Sequence, residues 1–103
     1  MADDPKRKSE RVPFPAALKV RNPVPVEAKG VDIGAGGIGV ELAQSIAEGS
    51  QVELELFGDG TIYAGTVRMV RPLPGGGFRL GIQFQKDDDT LIARAKAIRA
   101  SAG

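Results

Sequence analysis

The chain contains no cysteine, no histidine and no tryptophan. Without thiols there are no disulfides, no thiolate nucleophiles and no sulfur-based metal sites. Without imidazole, the usual general base near neutral pH and the commonest metal ligand are both missing. A hydrolase triad, a zinc site and a haem site are set aside together, so the expectation is no catalytic activity and no cofactor. No apolar run approaches the ~20 residues of a membrane helix. The charged N-terminus does not read as a secretory leader, and a cytoplasmic location without membrane insertion is expected. The net charge of +1 gives no global pull towards nucleic acid or anionic lipid. A small barrel for single-stranded nucleic acid is disfavoured for the same reason, because such sites combine a basic groove with stacking aromatics; neither DNA nor RNA is an expected partner.

What is present reads as one domain of 103 residues with an ordinary 42% of hydrophobic residues. The basic charge is local: Lys6, Arg7, Lys8 and Arg11 crowd one segment just after Asp3 and Asp4. Residues 1–11 read as a flexible basic arm, and residues 12–103 as the folded domain. Phe14, Ala16, Leu18 and Val20 alternate with Pro15, Ala17 and Lys19, a half-buried strand whose prolines suit an edge. After the Asn22-Pro23 turn, Val24, Val26, Ala28 and Gly30 share a face while Val31 and Ile33 take the other, which predicts a bulge near Gly30. Strands follow at Ile38–Leu42, Val52–Leu56, Thr61–Arg71 and Phe78–Phe84, with turns at Gly58-Asp59-Gly60 and at 72–77. The end changes period. Asp87-Asp88-Asp89 reads as a cap, Leu91, Ile92, Ala95 and Ile98 recur at helical spacing, and Arg94, Lys96 and Arg99 complement the helix dipole. About six antiparallel strands and one terminal helix predict a small barrel or sandwich with the helix over one open end.

The stretch Asp32-Ile33-Gly34-Ala35-Gly36-Gly37 lies between two of these strands. It sets a carboxylate beside a glycine turn, where glycine permits positive φ and close approach and where exposed N–H groups would seat an anion. Gly34, Gly36 and Gly39 also satisfy G-x-G-x-x-G, and the stretch resembles the first motif of Rossmann-like methyltransferases. That fold needs several βα units. The 48 residues after Glu55 hold two strand patterns and one helix instead.

With strands on both sides of the turn, the chain resembles the PilZ domain. Two motifs carry the resemblance: R-x-x-x-R, here Arg7-Lys8-Ser9-Glu10-Arg11, and D/N-x-S-x-x-G, here Asp32 to Gly37. Gly49, Gly65-x-Val67 and Leu80-Gly81-Ile82-Gln83-Phe84 support it. The resemblance implies an all-β fold, a six-stranded antiparallel barrel with a C-terminal helix, that binds the bacterial second messenger cyclic di-GMP. It implies ligand contacts at Arg7, Arg11, Asp32, Gly34 and Gly37, and a signal passed to a flagellar, secretory or biosynthetic effector protein. The chain departs from the motif at Gly34, where serine is usual. A loop that orders on binding is the implied mechanism. The alternative is a PilZ-like adaptor that works by protein contact without the nucleotide.

Other residues have plainer readings. Arg68 and Arg71 have two readings, a supplement to the site or plain solvent-facing charge, of which the second is preferred; Arg79 reads as a surface partner of Glu53 or Glu55. The aspartate run reads as a helix cap rather than a metal site. Phe14, Phe78 and Phe84 read as core rather than a base-stacking platform.

Overall fold

Most of the predicted strands carry their apolar residues on one face, and a sheet that closes on itself buries that face. The computed structural model describes residues 11–22, 25–58, 60–88 and 90–102. The elements are β1 (Arg11–Pro13), β2 (Ala17–Arg21), β3 (Pro25–Gly34), β4 (Gly37–Leu42), β5 (Gln51–Glu55), β6 (Ile62–Pro72), β7 (Phe78–Phe84) and α1 (Thr90–Ala102). All pairings are antiparallel. The neighbours run β3-β2-β5-β6-β7-β4, and the β3–β4 pairing closes the six-stranded ring. The seventh strand, β1, lies along β3 beyond the end of β2.

Inside the ring, Phe14, Val20, Ile33, Ile38, Val40, Leu54, Val67 and Leu80 are fully buried. Burial of each such side chain is worth ~1.5–3 kcal/mol relative to exposure. The expected face switch in β3 is present as a register shift against β4 between Gly30 and Asp32. It turns Ile33 inward and leaves Asp32 on the outer face.

The strand expected over 14–20 is split. Pro15 has no N–H to give to a ladder, and Ala16 N–H turns back to the Phe14 carbonyl at 2.8 Å. The result is a three-residue turn between β1 and β2. The edge position that suits proline is taken by β1, whereas β2 is internal between β3 and β5.

Helix α1 begins at a carboxylate cap: Asp88 Oδ1 accepts from Thr90 N–H at 2.9 Å and from its hydroxyl. Leu91 and Ala95 are fully buried, and the helix lies against β1 and β3. Ile98 and Arg99 lie outside the residues whose side chains are described. An aromatic row runs beside the helix. Phe14 meets Phe57 edge-on at 5.7 Å, Phe57 meets Tyr63 at 6.3 Å, and Tyr63 meets Phe84 at 5.8 Å. Arg94 is part of this packing rather than a dipole partner alone. Its guanidinium lies 3.9 Å from the Phe57 centroid and donates to Tyr63 Oη at 3.1 Å.

One ion-pair expectation is corrected. Arg79 stands between Glu41 of β4 and Arg71 of β6, away from Glu53 and Glu55, because β5 is not a neighbour of β7. Glu55 pairs instead with Arg21 at 3.9 Å.

Candidate functional site

The corner around Asp32 is built by close backbone approach. Gly30 N–H donates to Ala16 O at 2.8 Å and Phe14 N–H to Val31 O at 3.0 Å, clamping the chain before β2 against β3. A Cβ on Gly30 would lie 2.2 Å from the Phe14 carbonyl oxygen, so only glycine fits. This clamp sets β1 in register with the end of β3: Arg11 opposite Gly34, Val12 opposite Ile33 and Pro13 opposite Asp32. Gly34 offers Arg11 no side chain. Asp32 is its diagonal neighbour, within reach of a long side chain.

Arg11 takes that diagonal. Its Nη2 donates to Asp32 Oδ1 at 2.8 Å, joining residues 21 apart in sequence. Both side chains keep roughly two-fifths of their surface in solvent, so the pair belongs with exposed ion pairs worth ~0.2–1 kcal/mol. It ties the start of β1 to the outer face of β3. Gly39 supplies the space beneath it, since a Cβ there would lie 2.7 Å from Asp32 Oδ1.

The glycine turn differs from expectation. Among the described residues, positive φ occurs at Gly49, Gly58, Gly60, Gly76 and Gly77, and not at Gly34, Gly36 or Gly37. An anion nest of the αR-αL kind, with a left-handed residue, is therefore absent from this turn. Its glycines serve close packing instead. A Cβ on Gly37 would lie 2.6 Å from the Ile82 carbonyl oxygen, and one on Gly36 would lie 3.2 Å from Asp87 Oδ1. The turn's carbonyls are also occupied: Gly36 O accepts from Phe84 N–H at 2.9 Å and Ala35 O from Asp88 N–H at 2.8 Å.

Of the sequence candidates, Arg11, Asp32, Gly34 and Gly37 therefore stand in one patch of the outer face, while Arg7 lies outside the described residues. A sequence profile described as the PilZ domain matches residues 5–100. The chain belongs to the PilZ family. No curated protein matches it in sequence. Among solved structures it is similar to YcgR of Escherichia coli in complex with c-di-GMP, with a TM-score of 0.58 and 17% identity. That likeness covers 89% of this chain and 43% of the YcgR chain, so the present PilZ chain spans less than half the length of that protein.

Arg68 and Gln83 also stand near this PilZ corner; from sequence, Arg68 is the less favoured supplement to the site and Gln83 an outward strand position. Gln83 stands opposite Gly37, and Arg68 Nε donates to Gln83 Oε1 at 2.8 Å. A signal was present: Val67 and Val70, both packed on the core, are three apart, a spacing that strict alternation cannot serve.

Proposed function

We propose that this PilZ domain is a cyclic di-GMP receptor that acts on a partner protein, with no chemical step of its own. The observation that carries the reading is the Arg11–Asp32 contact, which joins the ends of the two motifs on one corner of the barrel. The chemistry fits the ligand. Asp32 is an acceptor for guanine N1–H and N2–H₂. Arginine's planar fork engages guanine O6 and N7 together or clamps a phosphodiester. The binding site is Arg7, Arg11, Asp32, Gly34 and Gly37. Residues 1–11 act as an arm, anchored at Arg11 where β1 begins, that closes over the nucleotide, the exchange of the Arg11 side chain from Asp32 to ligand being the first step. The changed surface then addresses a flagellar, secretory or biosynthetic effector in the bacterial cytoplasm.

Isothermal titration calorimetry with cyclic di-GMP tests this directly, and saturable binding is expected. One observation favours a second reading: Gly34 removes the hydroxyl that the usual motif serine would donate. A titration that stays flat at high micromolar ligand would assign the chain to a protein-contact adaptor instead.

A further inference from the structure

We propose that Arg68 is a second cationic wall of the ligand site, facing Arg11 across a floor of glycines and taking one phosphodiester of the dinucleotide. The inference rests on the cyclic di-GMP reading. It comes from the registers on the outer face of the ring. One row runs from Arg11 through Gly34 and, past the hairpin turn, through Gly37 to Gln83 and Thr66. The next runs from Pro13 through Asp32, Gly39 and Gly81 to Met69. Four central positions, Gly34, Gly37, Gly39 and Gly81, carry no side chain. Arg11 and Asp32 border them on one side.

On the other side the border is made by an irregularity in β6. The β6–β7 register slips between Val67 and Met69. Val67 is fully buried, Arg68 is exposed, and the Met69 side chain lies over Gly81, its Cβ 3.3 Å from where a Gly81 Cβ would be. Two successive residues thus stand on the outer face, the re-aiming that a bulge performs. Arg68 is then held by the Nε–Gln83 bond beside Gly37.

Charge distinguishes the two walls. Arg11 is balanced by the Asp32 carboxylate. Arg68 is held by a neutral amide, and among the described residues its Nη groups have no hydrogen-bond or ion-pair partner. With Arg7 added to the neutral Arg11–Asp32 pair, the proposed site offers one net positive charge to a ligand with two phosphodiester charges, and Arg68 supplies the second with an oriented fork. From β1 to β6 are four strand spacings, roughly 19 Å along the sheet; the Arg11 side chain reaches one strand inward to Asp32 on β3 and the Arg68 side chain one strand inward to Gln83 on β7, which leaves about two spacings between them.

The test is calorimetry with cyclic di-GMP on the full chain and on Arg68→Gln, Arg68→Lys, Gln83→Ala and Arg71→Gln, each at low and high salt. Arg68→Gln is expected to weaken binding about tenfold and to flatten its salt dependence, since a charge-assisted contact is lost. Arg68→Lys should keep the salt dependence while losing part of the affinity. Gln83→Ala should weaken binding by a smaller factor, because it frees the guanidinium without removing it. Arg71→Gln should bind like the parent chain. If the parent chain binds and Arg68→Gln matches it in affinity and salt slope, Arg68 is a surface residue and the proposal fails, while the receptor reading stands. If the parent chain does not bind, the receptor reading fails and this one with it.

Discussion

At the scale of single residues, Arg11 is the side chain on which the corner depends. Its bond to Asp32 is exposed and weak, so its removal should leave the fold intact. Arg11→Ala is therefore expected to lower cyclic di-GMP affinity more than tenfold, in the range of a charged hydrogen bond and its partner's loss, with an unchanged circular dichroism melt. Equal affinity in the calorimeter would take Arg11 out of the site. Gly34 makes the opposite case. The sequence leaves open whether this glycine is needed for its backbone, and the structure answers: Gly34 is not among the positive-φ glycines. Serine is conformationally allowed there. Gly34→Ser is expected to tighten binding several-fold, about one hydrogen bond to a charged group; weaker binding in the same assay would mean that the space, not the hydroxyl, matters at this position.

At the scale of elements, the clamp between the Phe14–Ala16 turn and β3 is what brings β1 to the site. A methyl group at Gly30 has no room beside the Phe14 carbonyl. Backbone must move, and overpacking of this kind costs ~1–3 kcal/mol. Gly30→Ala should lower the urea midpoint and weaken ligand binding together; a variant with parent stability would show that the clamp is soft. The elements also show what could be read beforehand. Period-two alternation located β4 to β7, because an inward residue at every second position is required by a closed ring. The Gly30 bulge was legible because Gly30 and Val31 break that period. The split of the first strand was not, since Phe14 keeps the face of Leu18 and Val20 across the Pro15 turn and the pattern runs on without a break. Nor was the β6 irregularity, where the spacing of Val67 and Val70 competes with a Thr61–Arg71 stretch that otherwise looks regular. Phe57 went unremarked because it stands at the rim of a turn, outside any alternating run, and Tyr63 because it reads as one more position of the β6 strand; the packed helix gives both a role.

At the scale of the whole molecule, the six-stranded ring is closed and the proposed function is carried on its outside. The fold was readable from pattern and motif together. The candidate site was readable in its two motifs but not in how they meet, since antiparallel register, rather than proximity in sequence, sets Arg11 opposite Gly34. If residues 1–11 close over the ligand, the ordering is a property of the entire assembly of arm, corner and nucleotide. Trypsin cleavage at the Lys6–Lys8 cluster is then expected to slow several-fold with saturating cyclic di-GMP, relative to cleavage in its absence, as followed by mass spectrometry. Identical time courses with bound ligand, verified by calorimetry, would remove closure from the mechanism.

Closure of the ring by β3 and β4 has one more consequence. Each ring strand already has two neighbours along part of its length, whereas among the described strands β1 pairs with one alone, β3. That strand, β1, is three residues long and ends in a proline. Short edges and prolines resist recruitment by a foreign strand. The strand that carries Arg11 can thus stand beside the Asp32 corner as a poor template for other chains.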